Sequence, residues 1–296
     1  LRVLVTGSAG RIGAEVVRDL GARGYTLRTM DRRAATRDST CEHCPGDVCD
    51  ILDVRRAISG MDAVVHLAAI AGDRRGSEDQ VLTTNVQGTW NVLLACQEAG
   101  VKRAVVMSSI NSLGCFGGHK PAVKLPIDDF YPHHPMTPYH MSKHLAEELC
   151  RMFSHAHGIV TLCPRPVSVI GPEQYRRWRE HRSMWRREWG KAEYWSYVDI
   201  RDVCEAVRRS LEVEGVLHEC FLLAAPDTFS DTPTAELVAE NYPDTPWMVE
   251  RDAYLAGAQY VSLLDSRHVE EVLGWRPMRS WRDEGTGDSS AAGGEG

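Results

Sequence analysis

The sequence predicts an α/β protein, a doubly wound parallel sheet carrying a small C-terminal lobe, and two observations support that reading. Over the first two-thirds of the 296 residues, short runs rich in β-branched residues alternate with longer segments whose apolar residues recur at three- and four-residue spacing. That is the pattern of parallel strands joined by crossover helices. After about Arg165 the rhythm loosens into Pro- and Trp-containing stretches, so the remainder is expected to form a smaller lobe interleaved with the sheet domain.

Taken in order, Arg2–Thr6 is the first strand and Ile12–Arg23 the first helix, with one apolar face for the sheet. Thr26–Met30 follows as a strand, then a short strand near Asp47, then Ala63–Leu67, Arg103–Ser108 and Ile159–Pro164. Between them, Ser77–Ala99 and Pro138–His157 have the helical spacing that lays one face on a sheet. The lobe adds a helix over Ile200–Glu212, a strand over His218–Ala224, and a helix opened by Pro233 at its first position, where the missing N–H costs nothing. The expected boundaries are 1–165 for the sheet domain, 166–283 for the lobe, and 284–296 for a tail of Gly, Ser, Ala and acid with no apolar anchor, expected to be disordered.

Lys plus Arg number 34 against 41 Asp plus Glu, a net charge of −7, which argues against a general nucleic-acid or anionic-membrane binder. No apolar stretch approaches the ~20 residues of a membrane helix. The chain opens directly on a strand with no leader-like segment, so a cytoplasmic location is expected. Nine cysteines scattered through helix and strand read as reduced thiols. Cys41-Glu42-His43-Cys44, with Cys49 nearby, lacks the second ligand pair that a zinc site needs, so no metal is expected.

Directly after the first strand, Gly7-Ser8-Ala9-Gly10-Arg11-Ile12-Gly13 opens a helix. Glycines at this spacing permit a tight turn, bring backbone N–H groups close to a pyrophosphate and let helix and strand pack closely, while the helix N-terminus favours negative charge. Asp31 ends the second strand about 20 residues further on, where an acid bonds the adenosine ribose diol of a dinucleotide. The sheet domain is thus expected to be a Rossmann domain. A carboxylate there repels a 2′-phosphate and favours NAD; Arg32 and Arg33, which follow directly, keep NADP as the lesser alternative.

Tyr139 and Lys143 stand four apart in Pro138-Tyr139-His140-Met141-Ser142-Lys143, on one face of a predicted helix. A phenol is a poor base at neutral pH, but a nearby ammonium stabilises its phenolate and makes Tyr139 a proton carrier. With the glycine loop, this Tyr-x-x-x-Lys, and Ser108-Ser109 ending a preceding strand, the chain resembles the extended short-chain dehydrogenase/reductase family, also called the NAD-dependent epimerase/dehydratase family. Gly46-Asp47-Val48, Val65-His66-Leu67-Ala68-Ala69, Asn85-Val86-Gln87-Gly88-Thr89, Pro164-Arg165-Pro166 and Tyr197-Val198-Asp199-Ile200-Arg201-Asp202-Val203 match further family motifs, and the resemblance covers roughly residues 1–280.

The resemblance implies that Ser109 polarises the reacting substrate oxygen, Tyr139 passes the proton, and Lys143 holds the nicotinamide ribose and tunes Tyr139. It implies a cofactor site of Gly7, Gly10, Arg11, Ile12, Gly13, Asp31, Asp47, Val48, Leu67, Ala68, Ala69, Asn85, Tyr139, Lys143 and Pro164. Ser108 and Ser112 are expected to bond backbone or substrate beside the reacting group, His66 to be packed near the cofactor, and His133-His134 to be solvent-exposed in a Pro-rich loop.

The dehydratases of the family resemble one another in a Thr-Asp-Glu run where this chain has Ser109-Ile110-Asn111, and its decarboxylating members carry Glu at the position of Asn111, so neither reaction is expected. Gly171-Pro172-Glu173-Gln174-Tyr175-Arg176 resembles the substrate loop of bacterial uronate dehydrogenases, which implies Arg176 as a fork for a substrate carboxylate; Ser109 and Asn111 are also expected to meet substrate. In the segment 175–195, Trp178, Trp185 and Trp189 fall on one helical face, either a lid over a sugar or a packing stripe. The expected function is an NAD-dependent dehydrogenase of a sugar, sugar acid or similar alcohol. An epimerase is the alternative within the enzyme class, and a non-catalytic nucleotide sensor the alternative outside it. The partners expected are a small-molecule substrate and a second copy of the chain in a homodimer.

Overall fold

β1 (Arg2–Thr6) takes the middle of a seven-stranded sheet because both of its faces are apolar: Val3 and Val5 point to one side and Leu4 to the other, all fully buried. The structure, a computed structural model, describes residues 1–33, 41–72, 75–180 and 188–283, and the side chains of Arg176, Trp178, Arg179, Glu180, Glu188 and Trp189 lie outside that description. The predicted tail 284–296 and Trp185 lie outside it entirely.

From β1 the chain runs through α1 (Arg11–Ala22), β2 (Thr26–Asp31) and β3 (Glu42–Pro45) in one direction across the sheet. After α2 (Ile51–Ile58) it crosses to the other side of β1 as β4 (Ala63–His66). α3 (Glu78–Leu82), a π-helical segment Thr83–Gln87 and α4 (Gly88–Ala99) form one continuous rod leading to β5 (Arg103–Val106). A 3-10 turn (Ile110–Leu113), a long loop and α5 (Pro138–His157) follow, then β6 (Val160–Pro166). β7 (Val169–Ile170), α6 (Pro172–Glu180), α7 (Glu188–Ala192) and β8 (Val198–Asp199) lead into α8 (Ile200–Glu212), and β9 (His218–Leu223) completes the main sheet beside β6. α9 (Thr234–Asn241), α10 (Arg251–Ala256) and α11 (Arg267–Leu273) finish the described chain.

The strand order is β3-β2-β1-β4-β5-β6-β9 with every pair parallel, the doubly wound arrangement. One core layer joins Val3, Val5, Val65 and Val105 to Val16 and Leu20 of α1 and Val203 and Val207 of α8. The other joins Leu4, Val64 and Ala104 to Val54, Leu93 and Phe153 of α2, α4 and α5. Full burial of a Val or Leu side chain contributes about 1.5–3 kcal/mol, so the alternating strand pattern places comparable gains on both layers. The winding reverses between β1 and β4, which opens a crevice at the carboxyl ends of these strands.

Several boundaries differ from the sequence reading. The strand expected near Asp47 is β3, which ends at Pro45, and Ser77–Ala99 is interrupted by the π-helical turn. Pro233 is the residue before α9 rather than its first position. α2 was not anticipated; eight residues hold too few turns for a clear period, though Asp50 caps it by accepting from the Leu52 N–H at 2.8 Å. The loop before α5 packs with the C-terminal segments: the Leu125 N–H donates to Pro246 O at 2.8 Å and the Ile127 N–H to Leu263 O at 2.9 Å.

Candidate active site

Gly7 leaves β1 with φ +68°, and a Cβ there would lie 2.5 Å from the Ala68 nitrogen. A Cβ on Gly13 would overlap the carbonyl of Gly7. Only glycine lets the turn pass under the β4 loop while the first turn of α1 closes over it. Gly10 precedes α1 with no side-chain cap, so among the described residues no capping side chain competes for the first helical N–H groups.

Asp31 ends β2 with its carboxylate accepting from the Ala9 and Arg33 N–H groups, each at 3.0 Å. A cleft of about 230 Å³ is bounded by Gly7, Gly10, Asp31, Asp47, Val48, Leu67, Ala68 and Ala69, eight of the residues the sequence reading assigned to a cofactor. Met30, Arg32, Arg33, Gly46, Ile70 and Thr84 complete its wall. Ile70 and Thr84 were not anticipated, because a loop residue and a helical threonine carry no motif. A glycine-floored cleft, an uncapped helix N-terminus and an acid at the end of the second strand fit the adenosine and pyrophosphate of a dinucleotide.

The remaining predicted residues lie beside this cleft rather than on its wall. Gly13 is buried and Ile12 packs against the core. Arg11 extends to donate to Val169 O at 2.6 Å, and Pro164 accepts from the Ser108 N–H at 2.9 Å. Asn85, buried in the π-helical turn, accepts from the Ile70 N–H at 2.8 Å and donates to Ile70 O at 3.1 Å and to Ser142 Oγ at 2.9 Å. It thereby ties the cleft wall to α5.

α5 starts sharply because Thr137 accepts from the His140 N–H at 3.2 Å and Pro138 takes the first turn. Tyr139 and Lys143 are one turn apart and both buried, and Lys143 reaches the carboxyl end of β5. The Lys143 ammonium donates to Met107 O at 2.7 Å and stands 6.0 Å from the Tyr139 ring centre. Burial lowers its pKa to about 8, so it remains charged at neutral pH. Two residues beyond Met107, Ser109 accepts from the Asn111 N–H at 3.2 Å as it caps the 3-10 turn. The Asn111 side-chain oxygen is buried without a hydrogen-bond partner among the described residues. The side chain of Arg176 lies outside the description.

Beneath these groups runs a polar network the sequence did not announce. Glu147, one turn after Lys143, accepts from Ser108 Oγ at 2.5 Å and from Arg165 Nε and Nη2 at 2.8 and 3.0 Å. Burial opposes its charge, yet Arg165 holds the carboxyl below its ordinary range. Arg165 also donates to Asp129 O at 3.0 Å. Burial outweighs the guanidinium at the Asp129 carboxyl and raises it to about 7. Ser108, expected to bond backbone or substrate, instead serves this buried carboxylate.

His133, expected in solvent, is half-buried, with Nδ1 3.1 Å from Ser112 O and Nε2 3.5 Å from Arg165. Packing of the loop against α5 withdraws it, while His134 stays exposed. His133, His144 and Glu147 have ligand-type atoms within 4.8 Å of one another, but a cation there would meet the Arg165 guanidinium. Cys44 is buried, and burial raises the thiols of Cys41 and Cys49.

His66 is packed as expected: Nδ1 lies 2.7 Å from Thr6 Oγ1 and Nε2 3.3 Å from Thr89 Oγ1. Thr89 gives its own proton to Asn85 O at 2.6 Å, so Nε2 is the ring donor and Nδ1 the acceptor. Burial, with the charge of Lys143, lowers His66 to about 3. An unfolded chain takes up this proton near pH 6.5 and the folded one does not. The His66 contribution is therefore intact above that pH and is lost as the pH falls toward 3. Relative to His66→Gln, whose amide supplies one donor and one acceptor without titrating, the parent is expected to lose about 2 kcal/mol between pH 6.5 and 5. Urea unfolding of both proteins at several pH values checks this; parallel profiles would refute it.

The family model for the NAD dependent epimerase/dehydratase family matches residues 3–219. "Sterol demethylase protein B" of Methylococcus capsulatus is 29% identical over 180 residues, covering 60% of this chain and 54% of that protein. The uronate dehydrogenase of Pseudomonas syringae pv. tomato is 29% identical over 179 residues, covering 60% of this chain and 62% of its own. The chain thus spans about half to three-fifths of the length of these curated relatives. A solved short-chain dehydrogenase/reductase superfamily protein from Agrobacterium tumefaciens with bound NAD has the same fold, with a TM-score of 0.71 at 22% identity over 96% of this chain and 94% of that one. With the glycine loop, Ser109, Tyr139 and Lys143 all inside the matched range, the chain belongs to the NAD-dependent epimerase/dehydratase family.

Proposed function

We propose that the protein is an NAD-dependent oxidoreductase acting on a secondary alcohol of a sugar, sugar acid or similar polyol, with Tyr139 as proton carrier. The observation that carries this reading is the arrangement at the carboxyl end of β5: Lys143, buried and charged, is anchored to Met107 O beside Tyr139, and Ser109 stands two residues further along the chain. The fixed ammonium favours the phenolate form of Tyr139. Tyr139 then takes the hydroxyl proton of an alcohol or returns it to a carbonyl, while Ser109 donates a hydrogen bond to the reacting oxygen.

The glycine loop and the α1 N-terminus would hold the pyrophosphate, Asp31 the adenosine ribose, Asp47 and Val48 the adenine side, and Leu67, Ala68 and Ala69 the path between them. Pro164 and Lys143 would flank the nicotinamide end, and Asn111 and Arg176 would meet substrate. When bound, the nicotinamide supplies the hydride acceptor and donor. The likeness to a uronate dehydrogenase supports the sugar-acid class.

The purified protein, given NAD or NADP with uronic acids, aldoses and sugar nucleotides, is expected to accumulate reduced cofactor with one substrate class. Asp31 is expected to give NAD at least a tenfold advantage in kcat/KM over NADP. A changed sugar without net reduction of cofactor would replace this reading by an epimerase, and neither outcome by a sensor.

We also propose a homodimer through α4 and α5. Leu82, Trp90, Met141, Leu145 and Met152 are large apolar side chains left partly exposed on this side, and the three on α5 recur at spacings that share one face. Light scattering is expected to give the mass of two chains for the parent and of one chain for Leu145→Glu; a monomeric parent would refute the pairing.

A further inference from the structure

A second cavity opens where β6, β9, α5, α11 and the loop before α5 meet, and it shares no lining residue with the cleft described above. It holds about 230 Å³, with Asp129, Phe130, Glu147, Arg165, Glu219 and His268 on its wall. Asp129, Glu147 and Arg165 are each more than nine-tenths buried, whereas Phe130 is 77% exposed.

Charge on this wall does not balance. Arg165 is matched by Glu147, which takes two of its hydrogen bonds at 2.8 and 3.0 Å. Glu219 has His268 Nε2 at 3.0 Å, and Glu148, also on the wall, accepts from Arg151 Nε at 3.0 Å. Asp129 is the carboxylate left over. Arg165 Nη1 gives its short bond, 3.0 Å, to the Asp129 backbone oxygen and stands 3.5 Å from Oδ1. Asp129 Oδ2 is buried with no hydrogen-bond partner among the described residues, a costly state for a carboxylate, and the cavity beside it is where a donor can enter. A cation among His133, His144 and Glu147 would compete for the carboxylate that holds Arg165; one at Asp129 would not.

We propose that this cavity binds a primary ammonium carried on a short carbon chain, which donates an N–H to Asp129 Oδ2 and lays its chain against Phe130. A metal ion is a poor match. Among the described residues, His133, His144 and Glu147 are the only trio whose ligand-type atoms come within 4.8 Å of one another, so Asp129, Glu219 and His268 do not converge as a metal site requires. An ammonium needs one free carboxylate oxygen for its hydrogen and an apolar face for its carbon. Phe130 supplies that face, its ring centre 5.5 Å from that of His268. The site is independent of the oxidoreductase reading above, because no residue assigned there to cofactor or substrate lines it.

The test titrates the full chain at neutral pH with butylamine, followed by saturation-transfer NMR. Butanol and butyrate are its uncharged and anionic counterparts, tetramethylammonium is a cation with no N–H, and Mn²⁺ and Zn²⁺ are the metal alternatives. A ligand of this size filling the site is expected to bind with a Kd of about 1 mM, and the other three organic probes at least tenfold more weakly. Asp129→Asn is expected to weaken butylamine at least tenfold and Phe130→Ala about threefold, while Tyr139→Phe leaves it within about twofold. No binding of butylamine, or binding unchanged in both Asp129→Asn and Phe130→Ala, would overturn the proposal. So would loss of binding in Tyr139→Phe, which would move the amine to the catalytic cleft, or tight binding of Mn²⁺ or Zn²⁺ that displaces butylamine. Phe130 is exposed, so its variant folds even if Asp129→Asn does not; the Phe130→Ala loss and the preference for butylamine over butanol then decide, and the absence of either overturns the site.

Discussion

A Tyr139→Phe protein is expected to lose about 10³-fold in kcat on the best sugar substrate while its affinity for NADH stays within about threefold of the parent. The size follows from what is removed: one hydroxyl, the only part of the ring that moves a proton. The ring itself is buried and Phe keeps its volume, so packing along α5 is preserved. Lys143 keeps its bond to Met107 O, so the cofactor side is untouched. Nicotinamide absorbance measures the first quantity and quenching of protein fluorescence the second. A variant turning over within tenfold of the parent would remove Tyr139 from the mechanism, whereas joint loss of turnover and NADH affinity would assign it to structure.

The second large effect is on stability. Glu147→Gln is expected to cost about 3–5 kcal/mol, because it leaves Arg165 charged in a buried site, and to lower Tm by about 5–8 °C. In the parent the charge and hydrogen bonds of Glu147 overcome burial and hold the Arg165 pKa above its ordinary value. Glu147→Leu combined with Arg165→Met removes both charges and is expected to recover most of that loss. Thermal and urea unfolding of the three variants decide it; equal losses in the single and double variants would mean that volume, not charge, governs the site.

The sheet was legible because parallel strands buried on both faces are written as short apolar runs, and Val3-Leu4-Val5 and Ala63-Val64-Val65 are such runs. The cleft was legible because Gly7, Gly10 and Gly13 sit in fixed order between a strand and a helix, and Asp31 follows at the right distance. What escaped was whatever depends on residues far apart in sequence. Ser108, Asp129, Glu147 and Arg165 look like unrelated polar positions until β5, α5, β6 and a loop place them together. α10 and α11 escaped because helices of six and seven residues hold too few turns to display a period.

The π-helical turn at Thr83–Gln87 sets what the rod can present on either side of it. A wider turn inside an otherwise regular rod holds one residue more than a regular turn would. Everything after it is rotated about the rod axis relative to everything before, by the arc of one residue. Thr84 borders the cleft and Asn85 reaches α5 from within the turn, so a deletion at this point would restore regular geometry and turn both away. The crevice wall therefore depends on the number of residues in this rod as well as on their identity, so removing one residue here would disturb it without replacing any side chain.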